Sequence, residues 1–494
     1  MAEIKLVDVS IRDGNQSLWG ATGLDTAQIL EIAGQLDRVG FHAIDFTSST
    51  HMAVAVRYFK NNPWERIRRV RAAMPHSPLQ LITTGLRFIA WQQAGPDFMR
   101  VVYRTLQKNG IRRFIILDPM HDADAVIEAA RIAKEEGDAE VMGALTFTLS
   151  EVHDDQFYAD FAAKLATSPH IDLFYLKDPG GLMSPERVRT LAPAVKAAIG
   201  DKRLEIHAHC TIGYGPVTSL AAADLGIIDA VHVGIGPLGD GSSLPEAGRM
   251  VANLREAGHE VPIDDKALAN VSDYWWRLAE AQNLAPGTPQ AFDASFLRHQ
   301  IAGGVMTTTL RQLEELQLGH LFPRVIAETE RVRAELGYPI MVTPFPQMVM
   351  TQATTNIVSG QRYSQVSDQI LRYALGKLGR PTSPLDPEVL DAIMDRPRAK
   401  EIASEPDFPD YADLRKRFGE SMPDEEFLLR AVMPGDQVDA MLAAGPSGSH
   451  YTPEAAPVLE LLKEIAARPA ARDIVIERPG FRLALHAGAS TGAA

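Results

Sequence analysis

Between residue 5 and about residue 260 the chain alternates, without interruption, between short β-like runs and segments with helical spacing. The runs are KLVDVSI (5–11), HAIDFT (42–47), LQLITT (79–84), RRFIILD (112–118), EVMGALTFT (140–148), DLFYLK (172–177), LEIHAHC (204–210) and AVHVGIG (230–236). Segments such as TAQILEIAGQLDRVG, DAVIEAARIAKEEG and PERVRTLAPAVKAAIG follow them with apolar residues every three to four positions, and several end in glycine, the usual left-handed stop residue. Eight βα units in about 250 residues predict a (β/α)8 barrel. An open doubly wound sheet is the competing architecture, but no GxGxxG follows the first strand.

After Pro262 the rhythm changes. WWRLAEAQNL, TTTLRQLEEL, PRVIAETERVRAELG and VSDQILRYALGKLG read as helices, 380–425 is rich in proline and charge, and RDIVIERPGFRLALH (472–486) reads as a small hairpin. The expected organisation is a barrel over 1–260 and a mainly helical domain over 261–494 that helps complete the site. The tail GASTGAA is expected to fray.

A net charge of −14 with no offsetting basic stripe argues against a general nucleic-acid binder. The densest basic run, RIRRVR, is expected to be a solvated helix face. One cysteine, Cys210, excludes an intrachain disulfide and fits a reducing cytosol. The start MAEIKLVDVS does not read as a signal peptide, and no apolar stretch is long enough for a membrane span, so a cytoplasmic protein is expected.

In a barrel the chemistry lies at the C-terminal ends of the strands. Three of those ends are unusually polar: SIRDGNQS (10–17), LKDPGG (176–181) and IHAHCTIG (206–213). His207 and His209 are two apart on a strand, so they share a face, and imidazole suits Zn2+, Mn2+ or Co2+. Two hydrogen-bonded core histidines are the alternative; Asp13 and Lys177 at nearby strand ends favour the metal. An ammonium at the end of the apolar LFYL run is costly unless it is paired or altered. A carbamate formed with CO2 is anionic and offers oxygen ligands, which makes Lys177 a candidate fourth ligand. Simple pairing with Asp178 or Asp13 is the other reading.

RDGNQS, PWERIRRVRAAMP, LKDPGGLMSP, HAHCTIG and VTPFPQMVMTQ together resemble the carboxyltransferase component of biotin-dependent enzymes, which includes pyruvate carboxylase, the oxaloacetate decarboxylase alpha chain and the transcarboxylase carboxyltransferase subunit. The resemblance covers nearly the whole chain. It implies Asp13, carbamylated Lys177 (N6-carboxylysine), His207 and His209 as ligands of a divalent metal. It places Arg12 and Gln16 near the keto acid and biotin, and makes Thr343 the proton shuttle between biotin and an enolate. It further implies pyruvate or oxaloacetate as the small acid, a homodimer, and partner subunits of a carboxylase or transcarboxylase complex. No Met-Lys-Met biotinylation site occurs in the sequence, so biotin is expected on a separate carrier protein.

The sequence departs from the family around the acceptor. ITTGLR places Thr84 where the family has a carboxylate-binding arginine, and Arg87 is the candidate replacement clamp. VTPSS has become VTPFP, and PGGQ or PGGM has become AGGV. Competing readings are a biotin-independent keto-diacid decarboxylase, a hydroxymethylglutaryl-CoA-lyase-like carbon–carbon lyase, and a non-enzymatic scaffold for a biotin carrier.

Overall fold

The computed structural model describes residues 3–301, 303–406, 408–448, 450–451, 473–478 and 481–486. β1 (Lys5–Asp8), β2 (Ala43–Ser48), β3 (Leu79–Thr84), β4 (Ile111–Leu117), β5 (Glu140–Thr146), β6 (Leu173–Asp178), β7 (Arg203–Ala208) and β8 (Ala230–Val233) close a barrel in sequence order. All neighbouring pairs are parallel, and β8 returns to β1 through Lys5↔Ala230 and Asp8↔Val233. The expected (β/α)8 barrel is the observed fold. The strand residues are almost all buried, because helices cover the outside and side chains fill the inside.

The helices start where capping chemistry is available. Asp25 accepts the Gln28 backbone N–H while the Gln28 side chain takes the Asp25 N–H, a reciprocal capping box. Asn62 caps the helix Pro63–Ala73, whose proline at the first position has no N–H to leave unpaired. Asp122, Asp154 and Ser184 cap the helices after β4, β5 and β6 in the same way.

Beyond the barrel, the helix Asp265–Ala281 lies on the outer barrel core through Leu268, Trp275 and Leu278. A second core then forms from the helices Gly303–Glu315, Phe322–Glu335, Phe345–Ser359, Asp368–Ala374, Pro387–Met394 and Pro397–Ala403, joined by Met120 of the barrel. The last three described helices, Tyr411–Phe418, Asp424–Val432 and Gly435–Ala444, return to the barrel's own core. Phe98 meets Phe408 at 5.0 Å between ring centroids, and Trp64 donates its indole N–H to the Glu425 carbonyl at 2.9 Å. The RIRRVR run is only partly the solvated face its charge predicts. Arg66 is buried within the barrel and reaches the Leu24 carbonyl at 3.3 Å, while Arg68, exposed, pairs with Glu425 of the returning helices at 2.5 Å. The predicted terminal hairpin is present as β9 (Asp473–Arg478) and β10 (Phe481–His486); the tail GASTGAA lies outside the described residues.

Candidate active site

Asp8 ends β1 by accepting the Ser10 backbone N–H at 3.1 Å and its hydroxyl at 2.5 Å. The chain turns there into a wide helical turn, Ser10–Gly14, which carries Arg12 and Asp13 into the mouth of the barrel. Gly14 is required by a close approach: a Cβ there would sit 2.6 Å from the Leu238 carbonyl oxygen of the loop after β8. At the end of β6 the KDPGG turn presses on β7 in the same way. Gly181 has φ +67°, and a Cβ on it would lie 2.7 Å from the His209 carbonyl oxygen.

Lys177 and His207 are register partners across β6 and β7, and His209 follows just beyond the end of β7. Asp13 lies between them. Its Oδ2 is 3.2 Å from His207 Nε2, 3.5 Å from Lys177 Nζ and 2.6 Å from an Arg12 guanidinium nitrogen; its Oδ1 is 3.6 Å from His209 Nε2. All five residues are buried. Arg12 also binds Asp45 of β2, with Nε donating to Oδ2 at 2.7 Å.

Burial opposes charge on Asp13, but the Arg12 guanidinium and the Lys177 ammonium outweigh it and hold the carboxyl well below its usual range. Burial pulls the Lys177 ammonium down to about 8 against the attraction of Asp13, so its neutral, nucleophilic form is within reach near neutral pH. Its Nζ also donates to the Tyr175 hydroxyl at 3.2 Å. Burial and Lys177 together push His207 well below its ordinary value, so it is a neutral imidazole.

The hydrogen bonds behind the two histidines show what the cluster can hold. His209 Nδ1 faces the Ser242 carbonyl oxygen at 2.7 Å. A carbonyl only accepts, so Nδ1 carries the proton, and in the neutral ring Nε2 offers a lone pair. His207 Nε2 lies 3.1 Å from that lone pair. One carboxylate oxygen and two imidazole nitrogens of Asp13, His207 and His209 thus fall within 4.8 Å of one another. Acceptor atoms crowded in a buried space are favourable when a cation sits among them, and this donor set suits a divalent transition metal.

The remaining expected residues are spread around this centre. Gln16 is on the short helix Asn15–Trp19 and is exposed. Thr84, half-buried, ends β3, and its carbonyl accepts the Arg87 N–H at 3.1 Å. Arg87 is buried, and its guanidinium is engaged by Asp118 at 3.0 Å and by the Trp91 and Leu378 carbonyls at 3.0 and 2.6 Å. It fastens the loop after β3 to the helical half. Thr343 stands exposed in the turn before the helix Phe345–Ser359, and among the described residues no hydrogen bond joins it to the Asp13 cluster.

The helical half seats on the loops after β3, β4 and β5. Arg333 donates to the Leu149 carbonyl and the Thr148 hydroxyl, both at 2.8 Å, and Thr382 donates to the Met120 carbonyl at 2.9 Å. Asp45, Tyr175, Glu205 and His232 were not singled out from the sequence. Each is a polar residue inside an apolar strand, the same signal that drew attention to Lys177.

Residues 3–274 match the HMGL-like family and residues 296–463 match the conserved carboxylase domain family. The chain is 32% identical over 444 residues to a pyruvate carboxylase subunit of Methanothermobacter thermautotrophicus, covering 88% of this chain and 76% of that protein. The chain belongs to the carboxyltransferase family of biotin-dependent enzymes. It is also 29% identical over 463 residues to the 2-oxoglutarate carboxylase large subunit of Hydrogenobacter thermophilus, covering 91% of this chain and 70% of that one. The carboxyl transferase domain of Rhizobium etli pyruvate carboxylase, solved with pyruvate and biocytin, shares the fold at a TM-score of 0.81 with 21% identity, over 98% of this chain and 84% of that one. This carboxyltransferase is an enzyme, and the scaffold reading is set aside.

Proposed function

We propose that this carboxyltransferase moves a carboxyl group between carboxybiotin, borne on a separate carrier protein, and a 2-oxo acid of the pyruvate/oxaloacetate type. Zn2+, Co2+ or Mn2+ would be held by Asp13, His207, His209 and N6-carboxylysine at Lys177. The observation that carries this reading is the convergence of His209 Nε2, His207 Nε2 and the Asp13 carboxylate beside a lysine whose amine is depressed to about 8. Two relatives named as pyruvate carboxylase subunits, at 32% and 31% identity, support the choice of acid.

The neutral Lys177 amine adds to the carbon of CO2, forming one N–C bond and releasing one proton, and becomes an anionic oxygen donor beside the Arg12 guanidinium. A divalent ion bound there supplies a Lewis acid for the enolate oxygen. Arg12, fixed by Asp13 and Asp45, presents a permanent cation toward the same developing charge. Carboxybiotin releases CO2 and leaves its ureido nitrogen to accept a proton from the methyl carbon of the 2-oxo acid. Thr343 is assigned that transfer: its hydroxyl takes the carbon acid's proton as it gives its own to the nitrogen. The enolate carbon then bonds to CO2. Exclusion of bulk water while substrate is bound would protect both the enolate and the CO2.

The chain would work as a homodimer in the cytoplasm with the other subunits of a carboxylase or transcarboxylase complex. Among the described residues no helix is long and apolar enough to cross a membrane. The test combines metal analysis of the active protein with 13C NMR after labelling with 13C-bicarbonate. Near-stoichiometric divalent metal and a carbamate signal absent from Lys177→Ala are expected. An active protein without metal, and with Lys177 as a free amine, would overturn the reading. Thr343→Ala is expected to block transfer from carboxybiotin while the metal content stays at the parent level.

A further inference from the structure

Behind His207, away from the mouth, a second pair of buried polar residues continues the line of hydrogen bonds into the barrel. His207 Nδ1 lies 3.1 Å from His232 Nδ1 on β8, and His232 Nε2 lies 3.0 Å from Glu205 Oε2, two residues before His207 on β7. His207 and His232 have no exposure and Glu205 has 1%. Glu205 is closed from the other side by Arg113 of β4, at 2.7 Å. That guanidinium is itself fixed by Glu140 at 2.5 Å and the Gln80 side-chain carbonyl at 3.0 Å.

With both imidazoles neutral, the proton count along this line allows two arrangements. Two Nδ1 atoms facing each other share a single hydrogen. If it sat on His232, the bare His232 Nε2 would face the Glu205 carboxylate, acceptor against acceptor. His207 would then present an N–H toward Asp13 and His209. With the hydrogen on His207 Nδ1, His232 Nδ1 accepts, His232 Nε2–H donates to the carboxylate, and His207 Nε2 is a bare lone pair at the mouth. An ion-paired carboxylate has no proton to give, so the second arrangement satisfies every contact behind His207, and the lone pair it turns toward the Asp13 carboxylate and His209 Nε2, at 3.2 and 3.1 Å, is the one a bound cation would satisfy.

We infer that Glu205 and His232 are positioning residues that select the tautomer of His207 and aim its Nε2 lone pair at the metal. This rests on the metal site proposed above. It extends that site with two residues from deeper in the barrel, neither of which touches substrate. Outer partners of this kind set ligand basicity and ring orientation, and their loss typically costs about 10- to 100-fold in metal affinity.

His232→Leu removes the acceptor for His207 Nδ1–H. His232→Gln restores both functions, because its carbonyl accepts from His207 and its NH2 donates to Glu205. Titrating metal-free protein with Co2+, followed by the visible spectrum of the bound ion, should show about 10- to 100-fold weaker binding and a shifted band for His232→Leu. His232→Gln is expected to return both toward the parent. Glu205→Gln can still accept from His232, so it serves as a second, milder variant if His232→Leu does not fold; its Co2+ affinity should fall by about tenfold. A parent that binds Co2+ while His232→Leu, or Glu205→Gln in its place, matches it in affinity and spectrum would overturn the inference and leave the metal site standing. A parent that takes up no Co2+ would overturn both. Equal losses in the Leu and Gln variants would also overturn it, since a purely space-filling role gives no rescue.

Discussion

Two polar clusters lie inside the same barrel, and they are balanced in opposite ways. At the floor, near the N-terminal ends of the strands, Arg113 is met by Glu205, Glu140 and Gln80, so each nitrogen of the guanidinium has its acceptor. At the mouth, Asp13 already pairs with Arg12, yet two imidazole Nε2 atoms and the Lys177 amine stand within 3.6 Å of the same carboxylate. Apart from half-buried Glu140 both clusters are buried, so burial does not distinguish them. What differs is the count: the floor closes on itself and holds strands together, while the mouth has acceptors to spare and is built for something added. A surplus of acceptors, rather than a density of polar groups, marks the reactive end.

The contrast can be broken most sharply at Lys177. Lys177→Ala should lower carboxyl transfer on the order of 10³-fold and reduce bound metal, with the melting temperature near the parent's. A variant that keeps its rate and its metal would make the mouth as structural as the floor. The reverse pattern is expected at the floor. Arg113→Met leaves Glu205 buried without its guanidinium, while half-buried Glu140 keeps Arg203, and should cost about 3–5 kcal/mol in denaturant unfolding. A loss well under that would mean water reaches the floor.

Acid titration separates the clusters again. Burial raises the Glu205 carboxyl, but Arg113 and His232 outweigh it and bring the group down to about 2. A depressed carboxylate stabilises the fold above its unfolded value and loses that contribution as pH falls through the folded one. Glu205 should therefore contribute on the order of 3 kcal/mol at neutral pH, lost between about pH 4.5 and 2. Equilibrium unfolding against pH should show a shallower acid limb in Glu205→Gln. The smallest effect belongs to the joint between the halves. Arg87→Lys keeps the charge but forfeits part of the three-way grip on Asp118, Trp91 and Leu378, and should cost about 1 kcal/mol. If Arg87 instead clamps substrate, its lysine variant will raise KM far more than it lowers stability.

Much of the mouth was legible from the chain alone because charge at the end of an apolar run is conspicuous. Lys177 after LFYL, the His207/His209 pair and Asp13 in RDGNQ all announce themselves in this way. The strand limits were less so: Asp8 takes the Ser10 N–H and stops β1 three residues before the apolar pattern ends. Asp45, Glu205 and His232 were harder still. In strands buried on both faces, inward and outward positions are equally apolar, so nothing local tells which single polar residue joins which other. The helix Phe345–Ser359 begins inside VTPFP and is apolar around much of its surface, which hides its period. Arg87 could be seen as an arginine near Thr84, but its partners are set by the packing of residues up to 291 positions away.

The three returning helices give the molecule a buckle. Because Phe427, Leu428 and Met441 sit in the same apolar body as Trp64 and Phe98, the strap that carries the second core is pinned to the cylinder at both its ends. Pruning the chain near residue 405 would not liberate a tidy enzyme. It would strip the cover from a greasy flank and leave a protein prone to clumping, so any shortened version meant for use should keep the buckle fastened.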